Sequence, residues 1–312
     1  MGPPRQAHPV SRLAAAILLL LLSQGCGRAE NGPVIIFCSP DSPRLRQAIQ
    51  GLKKALGPAP VEVLCVPEWG EQGPEALRRL RTRRPRLLVV LGTPALMWTA
   101  PGEKKIPVVF ALVANPYFSG AAYFPEKPGD HQENITGIAS PTPVRAALEQ
   151  GVSLLGAGTW GMLCDPNDGV AVEMKEGFLK EAPALGVWPL TEASTDAAGD
   201  RRGLESLLAR RARVIYLPPA PSASRYAEGL LEMGRKGEVL VLSSHPEMRD
   251  KGAVLKVALD YERLGEEAGA LAQRILRGEK PARIPIVESA PLKIEVDESL
   301  LQRWSGYPPG PK

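Results

Sequence analysis

From residue 34 onward, short apolar runs alternate with longer stretches in which apolar residues return every three or four positions. Val34-Ile35-Ile36-Phe37 reads as a buried strand. The stretch 43–56 that follows carries Leu45, Ala48, Ile49, Leu52 and Leu56 at the spacing of one helix face. Further strands are predicted over 61–66, 87–91 and 108–113, with helices over 74–83 and after Pro94. A second series runs helix 144–155, strand 160–164, helix 170–182, strand 187–190, helix 203–211, strand 214–217, helix 222–235 and strand 239–242. Strands alternating with helices in this way predict an α/β chain whose parallel sheets are covered on both faces. The rest predicts a strand over 254–259, a helix over 262–276, a turn at 277–281, strands over 284–287 and 292–296, and a last helix from about Asp297. That tail is too short to be a domain, so the chain is expected to cross back to the first lobe and then return.

The two series superpose as an internal repeat. Phe37-Cys38-Ser39-Pro40-Asp41 lines up with Leu163-Cys164-Asp165-Pro166-Asn167 at an offset of 126, which also pairs Gly51 with Gly177 and Lys54 with Lys180. Val90-Leu91-Gly92-Thr93-Pro94 meets Ile215-Tyr216-Leu217-Pro218-Pro219 at 125, and Val113-Ala114-Asn115-Pro116 meets Ser243-Ser244-His245-Pro246 at 130. Polar residues and prolines fall at the strand ends in all three places. Those ends are where open α/β sheets bind ligands, because helix amino termini offer N–H groups there. Two duplicated Rossmann-like lobes facing each other would enclose a cleft. A length of 312 residues fits two domains of roughly 150 residues each.

The amino terminus is different in kind. Arg5 and Arg12 precede an 11-residue apolar run, 13–23, which is too short to span a bilayer and reads as a secretory signal. It ends in Leu22-Ser23-Gln24-Gly25-Cys26, which resembles a bacterial lipobox, with Gln24 where a small residue is usual. Lipidation at Cys26 would anchor the mature chain in the cell envelope, its folded part outside the cytoplasm on the periplasmic side. Removal of 1–25 takes two arginines and no acid, lowering the formal charge from +4 to +2. The charges are spread along the chain, so no nucleic-acid footprint is evident. Cys38, Cys65 and Cys164 remain, each inside an apolar run, and read as buried small hydrophobes. An oxidising compartment also allows one bridge, between Cys38 and Cys65, and that alternative stays open.

Catalytic signatures are sparse. His131 and His245 are the histidines left after signal removal, neither in paired-ligand spacing, and no Walker A or GxSxG motif occurs. Gly156-Ala157-Gly158-Thr159-Trp160-Gly161 fits GxGxxG but precedes a predicted strand instead of following one, so it reads as a turn. A soft-metal site from Cys38, Cys164 and His245 across the cleft is a weak alternative. No enzyme activity, metal or other cofactor is expected.

The chain also resembles a known family, the bacterial ABC-transporter substrate-binding proteins of the group with tryptophan- and phenylalanine-binding members. The resemblance rests on Ile106-Pro107-Val108-Val109-Phe110-Ala111 followed by Asn115-Pro116, on Asn134-Ile135-Thr136-Gly137-Ile138, and on Gly252-Ala253 to Asp260-Tyr261. It continues through Leu264-Gly265, Ala268-Gly269 and Ile275-Leu276-Arg277-Gly278-Glu279-Lys280-Pro281, covering 33–304. It implies a type I periplasmic binding protein fold: two Rossmann-like doubly wound lobes, crossover hinge strands and a ligand clamped between them by hinge closure. The expected first lobe is 33–138 with about 254–287, and the second 139–253 with about 288–304, after a signal at 1–25 and a linker at 26–32 and before a tail at 305–312.

Within that frame Ser39, Thr93 and Ser222 are candidate hydroxyl donors to a ligand carboxylate, and Asn115 and Ser244 neutral hydrogen-bonding groups. Asp165 and Asp260 are candidate ammonium acceptors, and Tyr261 a wall or stacking group. A helix cap followed by a packing aromatic is the plainer reading of Asp260-Tyr261. The family's aspartate is replaced by Asn115 in one cleft loop and absent from 218–222 in another. The implied role is capture of a small amino acid-like solute for an ABC permease by a lipid-anchored monomer. The alternative is an anchored sensor or scaffold without transport, and a weaker one an enzyme or metal binder on the same fold.

Overall fold

The computed structural model describes residues 32–38, 41–66, 72–245 and 252–304. Lobe 1 begins β1 (Val34–Cys38), α1 (Pro43–Leu56), β2 (Val61–Cys65), α2 (Gln72–Thr82), β3 (Leu87–Leu91), α3 (Thr93–Gly102), β4 (Val108–Val113) and β5 (Ile135–Ala139). Lobe 2 follows with α4 (Val144–Leu155), β6 (Gly158–Cys164), α5 (Gly169–Glu181), β7 (Val187–Ala193), α6 (Ala197–Ala209), β8 (Val214–Leu217), α7 (Ser224–Lys236), β9 (Leu240–Ser243) and β10 (Leu255–Leu259). The chain then returns to lobe 1 for α8 (Tyr261–Leu276) and β11 (Val287–Glu288), and ends in lobe 2 with β12 (Leu292–Val296) and α9 (Glu298–Trp304).

The two sheets have matching strand orders, β11-β5-β4-β3-β1-β2 and β12-β10-β9-β8-β6-β7. All pairs are parallel except β10 with β12. Strands such as Leu87–Leu91 are buried along their whole length because helices cover both faces. In lobe 1, α1 and α8 cover one face and α2 and α3 the other. In lobe 2, α4 and α5 lie opposite α6 and α7. The GxGxxG segment is the turn out of α4 and the start of β6, as its position before a strand implied.

Two details correct the sequence reading, and a third settles an alternative it left open. Residues 254–259, expected in lobe 1, pair with β9 and β12 in lobe 2, where Leu255 and Val257 share a core with Trp160 and Leu242. The return therefore starts at Asp260. The strand expected over 284–287 shrinks to Val287–Glu288 after a 3-10 turn. Pro285 has no N–H for a ladder, while its neighbours Ile284 and Ile286 plug the cores on the two faces of the sheet. Finally, Cys38 and Cys65 are disulfide-bonded, whereas Cys164 is buried and free. In-register pairing of β1 with β2 sets these two cysteines side by side, with Cα atoms 4.4 Å apart.

What holds α8 on lobe 1 is the absence of side chains. A Cβ on Gly265 would overlap the Ala48 carbonyl of α1, and one on Gly51 would overlap the Glu262 carbonyl of α8. Gly269 sits against Ala55 in the same seam. Gly177, the repeat partner of Gly51, faces Val144 of α4 in lobe 2, but there a Cβ would meet a side chain at 3.2 Å and no backbone. The lobes are joined at 140–143, at Asp260 and at 289–291. These crossings are tied together: Asp260 N–H donates to the Pro291 carbonyl at 2.8 Å, and Ser289 N–H to the Ala139 carbonyl at 2.9 Å.

Two measurements check these supports. The disulfide closes a loop of 27 residues, for which chain entropy gives about 3.5 kcal/mol. Reduction is therefore expected to lower the melting midpoint by up to about 10 °C. Gly265→Val, which must push the α1 backbone away, is expected to destabilise the chain by about 2 kcal/mol in a urea titration, well beyond Gly229→Ala at an open helix position.

Candidate functional site

Parallel strands send their carboxyl ends to one edge of each sheet, and these edges face each other across a cleft of about 480 Å³. Lobe 1 contributes Arg44 and Leu45 at the start of α1, Gly92-Thr93-Pro94 at the start of α3, and Leu112 and Ala114 at the end of β4. Lobe 2 contributes Val170 and Glu173 of α5, Pro219, and Ser244 after β9. The hinge side is formed by Ser140, Thr142, Pro143, the end of β10 and Tyr261. This volume suits a small solute.

The polar groups fall into three sets. First, α3 opens into the cleft with Gly92 as its cap residue, at φ 95° and without a side-chain cap, so its positive end is offered to an anion. Second, Ser140 and Ser244 line the cleft, and their hydroxyl oxygens are buried and complete no hydrogen bond among the described residues. Ser244 lies beside the buried Tyr216 phenol, which burial pushes up to about 12 despite that neighbour. Third, Arg44 and Glu173 bring opposite charges from opposite lobes, and neither makes an ion pair with any described residue. Glu173 is an exposed residue, but partial desolvation raises its carboxyl above its ordinary value, and the Glu176 carboxylate adds to the effect.

Of the residues expected from sequence, Thr93, Ser244 and Tyr261 line the cleft. Ser39 and Cys26 lie outside the described residues. The others are engaged elsewhere. Asn115 accepts from the Tyr117 N–H at 3.0 Å, a local turn. Ser222 donates its N–H to Asp168 at 2.8 Å. Asp260 caps α8 through the Arg263 N–H at 3.0 Å, which is the plainer of its two expected roles. Asp165, expected as an ammonium acceptor, is held by the Asn167 N–H and by Arg225, each at 3.0 Å. These contacts, the Asn167 N–H first, hold its carboxyl below the usual range.

Arg225 also binds Asp200, with Nε to Oδ2 at 2.7 Å, and the Ser194 carbonyl at 3.1 Å. Ser194 Oγ donates to Asp200 at 2.6 Å. This cluster ties the ends of β6 and β7 to α6 and α7, and so supports the lobe 2 wall without entering the cleft. Asp168 adds a second tie. Burial pushes its carboxyl up, but the N–H groups of Ser222, Ala171 and Val170 outweigh that and leave it low. A metal site through Cys38 is ruled out by the disulfide, and no group of three or more metal-type ligands occurs among the described residues.

Sequence reasoning missed Arg44, Glu173, Ser140 and Leu112. For Arg44 a signal existed: a cation in the first turn of α1 opposes the helix dipole, so its place is poor for the helix alone.

The Arg225 cluster gives a pH test. A carboxyl held low in the folded state stabilises it above the ordinary carboxylate range, near pH 4, and this is lost as pH falls through the lowered value. The melting midpoint is expected to drop as pH falls below about 4. Arg225→Met is expected to flatten that drop and to lower the midpoint at pH 7 by about 5 °C or more, since Asp200 would be left buried and unpaired.

Comparison with known proteins places this geometry. Residues 34–305 match the family model described as ABC transporter substrate binding protein. Over 217 residues the chain is 22% identical to the tyrosine-binding protein of Clostridioides difficile (strain R20291), spanning 69% of this chain and 62% of that one. Among solved structures it is similar to the ligand-free, open form of a substrate-binding protein with adhesive properties from Clostridium difficile, at TM-score 0.75 and 20% identity. That match covers 89% of this chain and 96% of the other. It is also similar to an ABC domain from Streptococcus pneumonia in complex with L-Trp, at TM-score 0.65 and 20% identity, covering 87% and 94%. These likenesses bear out the fold of two periplasmic-binding-protein lobes.

Proposed function

The chain belongs to the ABC transporter substrate binding protein family, and we propose that it captures an amino acid or a related small carboxylate for an ABC importer. The observation that carries this reading is a pair of charges without ion-pair partners among the described residues, Arg44 from lobe 1 and Glu173 from lobe 2, facing one cleft. A ligand with a carboxylate and an ammonium group satisfies both, and closure of the lobes brings the charges to it. The α3 amino terminus and the Ser140 and Ser244 hydroxyls supply further donors to the carboxylate. The aliphatic lining, including Leu45, Leu91 and Val257, suits the ligand's apolar part. Binding needs no covalent chemistry.

Anchoring belongs to the same reading. Cys26 lies six residues before Gly32, where the described chain begins, and no helix among the described residues is long and apolar enough to cross a membrane. Acylation of Cys26 would keep the binding protein beside its permease. Mass spectrometry of the mature amino terminus should show diacylglyceryl cysteine at position 26.

The binding test is thermal unfolding with L-amino acids, small carboxylates and sugars. A ligand at 100 times its Kd adds about 2.7 kcal/mol, seen as a rise of about 5–10 °C. Amino acids are expected to give the rise, and Arg44→Gln and Glu173→Gln to weaken binding by at least about tenfold each. No rise with any solute, or a rise with sugars alone, would overturn the proposal. Loss of uptake on deletion of the gene would separate importer from sensor.

A further inference from the structure

The most unusual backbone in the cleft is at Leu112. Among the described residues three other than glycine have positive φ: Arg84, Leu112 and Arg211. Arg84 and Arg211 follow the carboxyl ends of α2 and α6, where a left-handed residue commonly closes a helix. Leu112, at φ 58°, lies inside β4. A branched side chain avoids this conformation, which places Cβ close to the neighbouring carbonyl.

Pairing shows how it arises. Phe110 lies opposite Gly137 and Val113 opposite Ala139, so three steps along β4 match two along β5, and one residue is extra. Side chains along β4 alternate up to that point: Val108 and Phe110 enter one core, Val109 and Ala111 the other. Regular alternation would send Leu112 in with Phe110. Instead Val113 takes that place, and Leu112 packs at the edge of the opposite core and into the cleft. The bulge is pinned on both sides, since the Ala111 carbonyl accepts from Gly92 N–H at 3.0 Å and the Val113 carbonyl from Ser140 N–H at 2.8 Å. Gly92 and Ser140 are themselves cleft residues. The repeat counterpart β9 has no positive φ, so duplication of the lobe does not require the bulge.

We propose that Leu112 is a specificity-determining residue: the bulge in β4 holds it in a strained left-handed conformation so that its side chain shapes the apolar part of the ligand site. The role rests on the solute-binding reading above, while the strain does not. A residue out of its preferred backbone at a binding site, held by bonded neighbours on both sides, is where strain is retained for function.

The test uses the wild type, Leu112→Ala and Leu112→Gly, each melted alone and titrated with L-leucine, L-phenylalanine, L-tyrosine and L-tryptophan. In an ordinary strand glycine is less stable than alanine. Here the order is expected to invert, with Leu112→Gly melting about 2 °C or more above Leu112→Ala. Both variants are expected to change the ratio of the leucine and tryptophan affinities by at least about tenfold. Alanine melting above glycine would overturn the strain. An unchanged affinity ratio in variants that still bind would overturn the specificity role and leave solute binding standing. A wild type that binds none of the four would overturn the role together with the amino acid reading beneath it.

Discussion

The close approach of α1 and α8 organises everything else. Gly51 and Gly265 let the two backbones touch, so a helix that follows five strands of lobe 2 packs back onto lobe 1. That return forces the chain across the gap at Asp260 and again at 289–291. It also sets Tyr261, the first residue of α8, at the back of the cleft. A van der Waals constraint on the far side of a sheet thereby fixes the wall of the ligand site.

The second level is electrostatic. Helix amino termini converge on the cleft, and lobe 2 keeps most of its acids away from it by internal pairing. Asp165 and Asp200 are absorbed by Arg225, and Asp168 by backbone N–H groups. Glu173 is left as the carboxylate of the lobe 2 wall and Arg44 as its opposite across the gap. The cleft lining thus carries one cation from lobe 1 and one carboxylate from lobe 2 that make no ion pair among the described residues, while Asp41 of lobe 1 is paired with Arg46.

Much of this was legible in the sequence, for definite reasons. The helices Pro43–Leu56 and Val144–Leu155 have a full apolar stripe and sharp ends, so their limits were read to the residue. α6 begins six residues earlier than its apolar pattern suggested, because Asp196 caps a first turn of Ala, Gly and Asp with no stripe. The lobe of β10 was not legible, since a short apolar run fits either sheet and its partners decide. In the site, loop positions were easy to find and side-chain roles were not. Asp165 looks available in sequence until Arg225, 60 positions away, is brought beside it. Leu112 is hidden within the uniform run Val108–Val113, where nothing marks the one residue that departs from alternation.

The hydrogen-bonded crossings carry a mechanical consequence. One tether between two rigid bodies permits bending about two axes and twisting. The crossings at 140–143, Asp260 and 289–291 are tied by two backbone hydrogen bonds, which oppose independent twisting of the segments. Freedom that is already absent in the empty protein does not have to be removed when a ligand is enclosed. For the closure proposed above, less disorder then has to be frozen out, which matters most for a solute of few atoms with few contacts to offer.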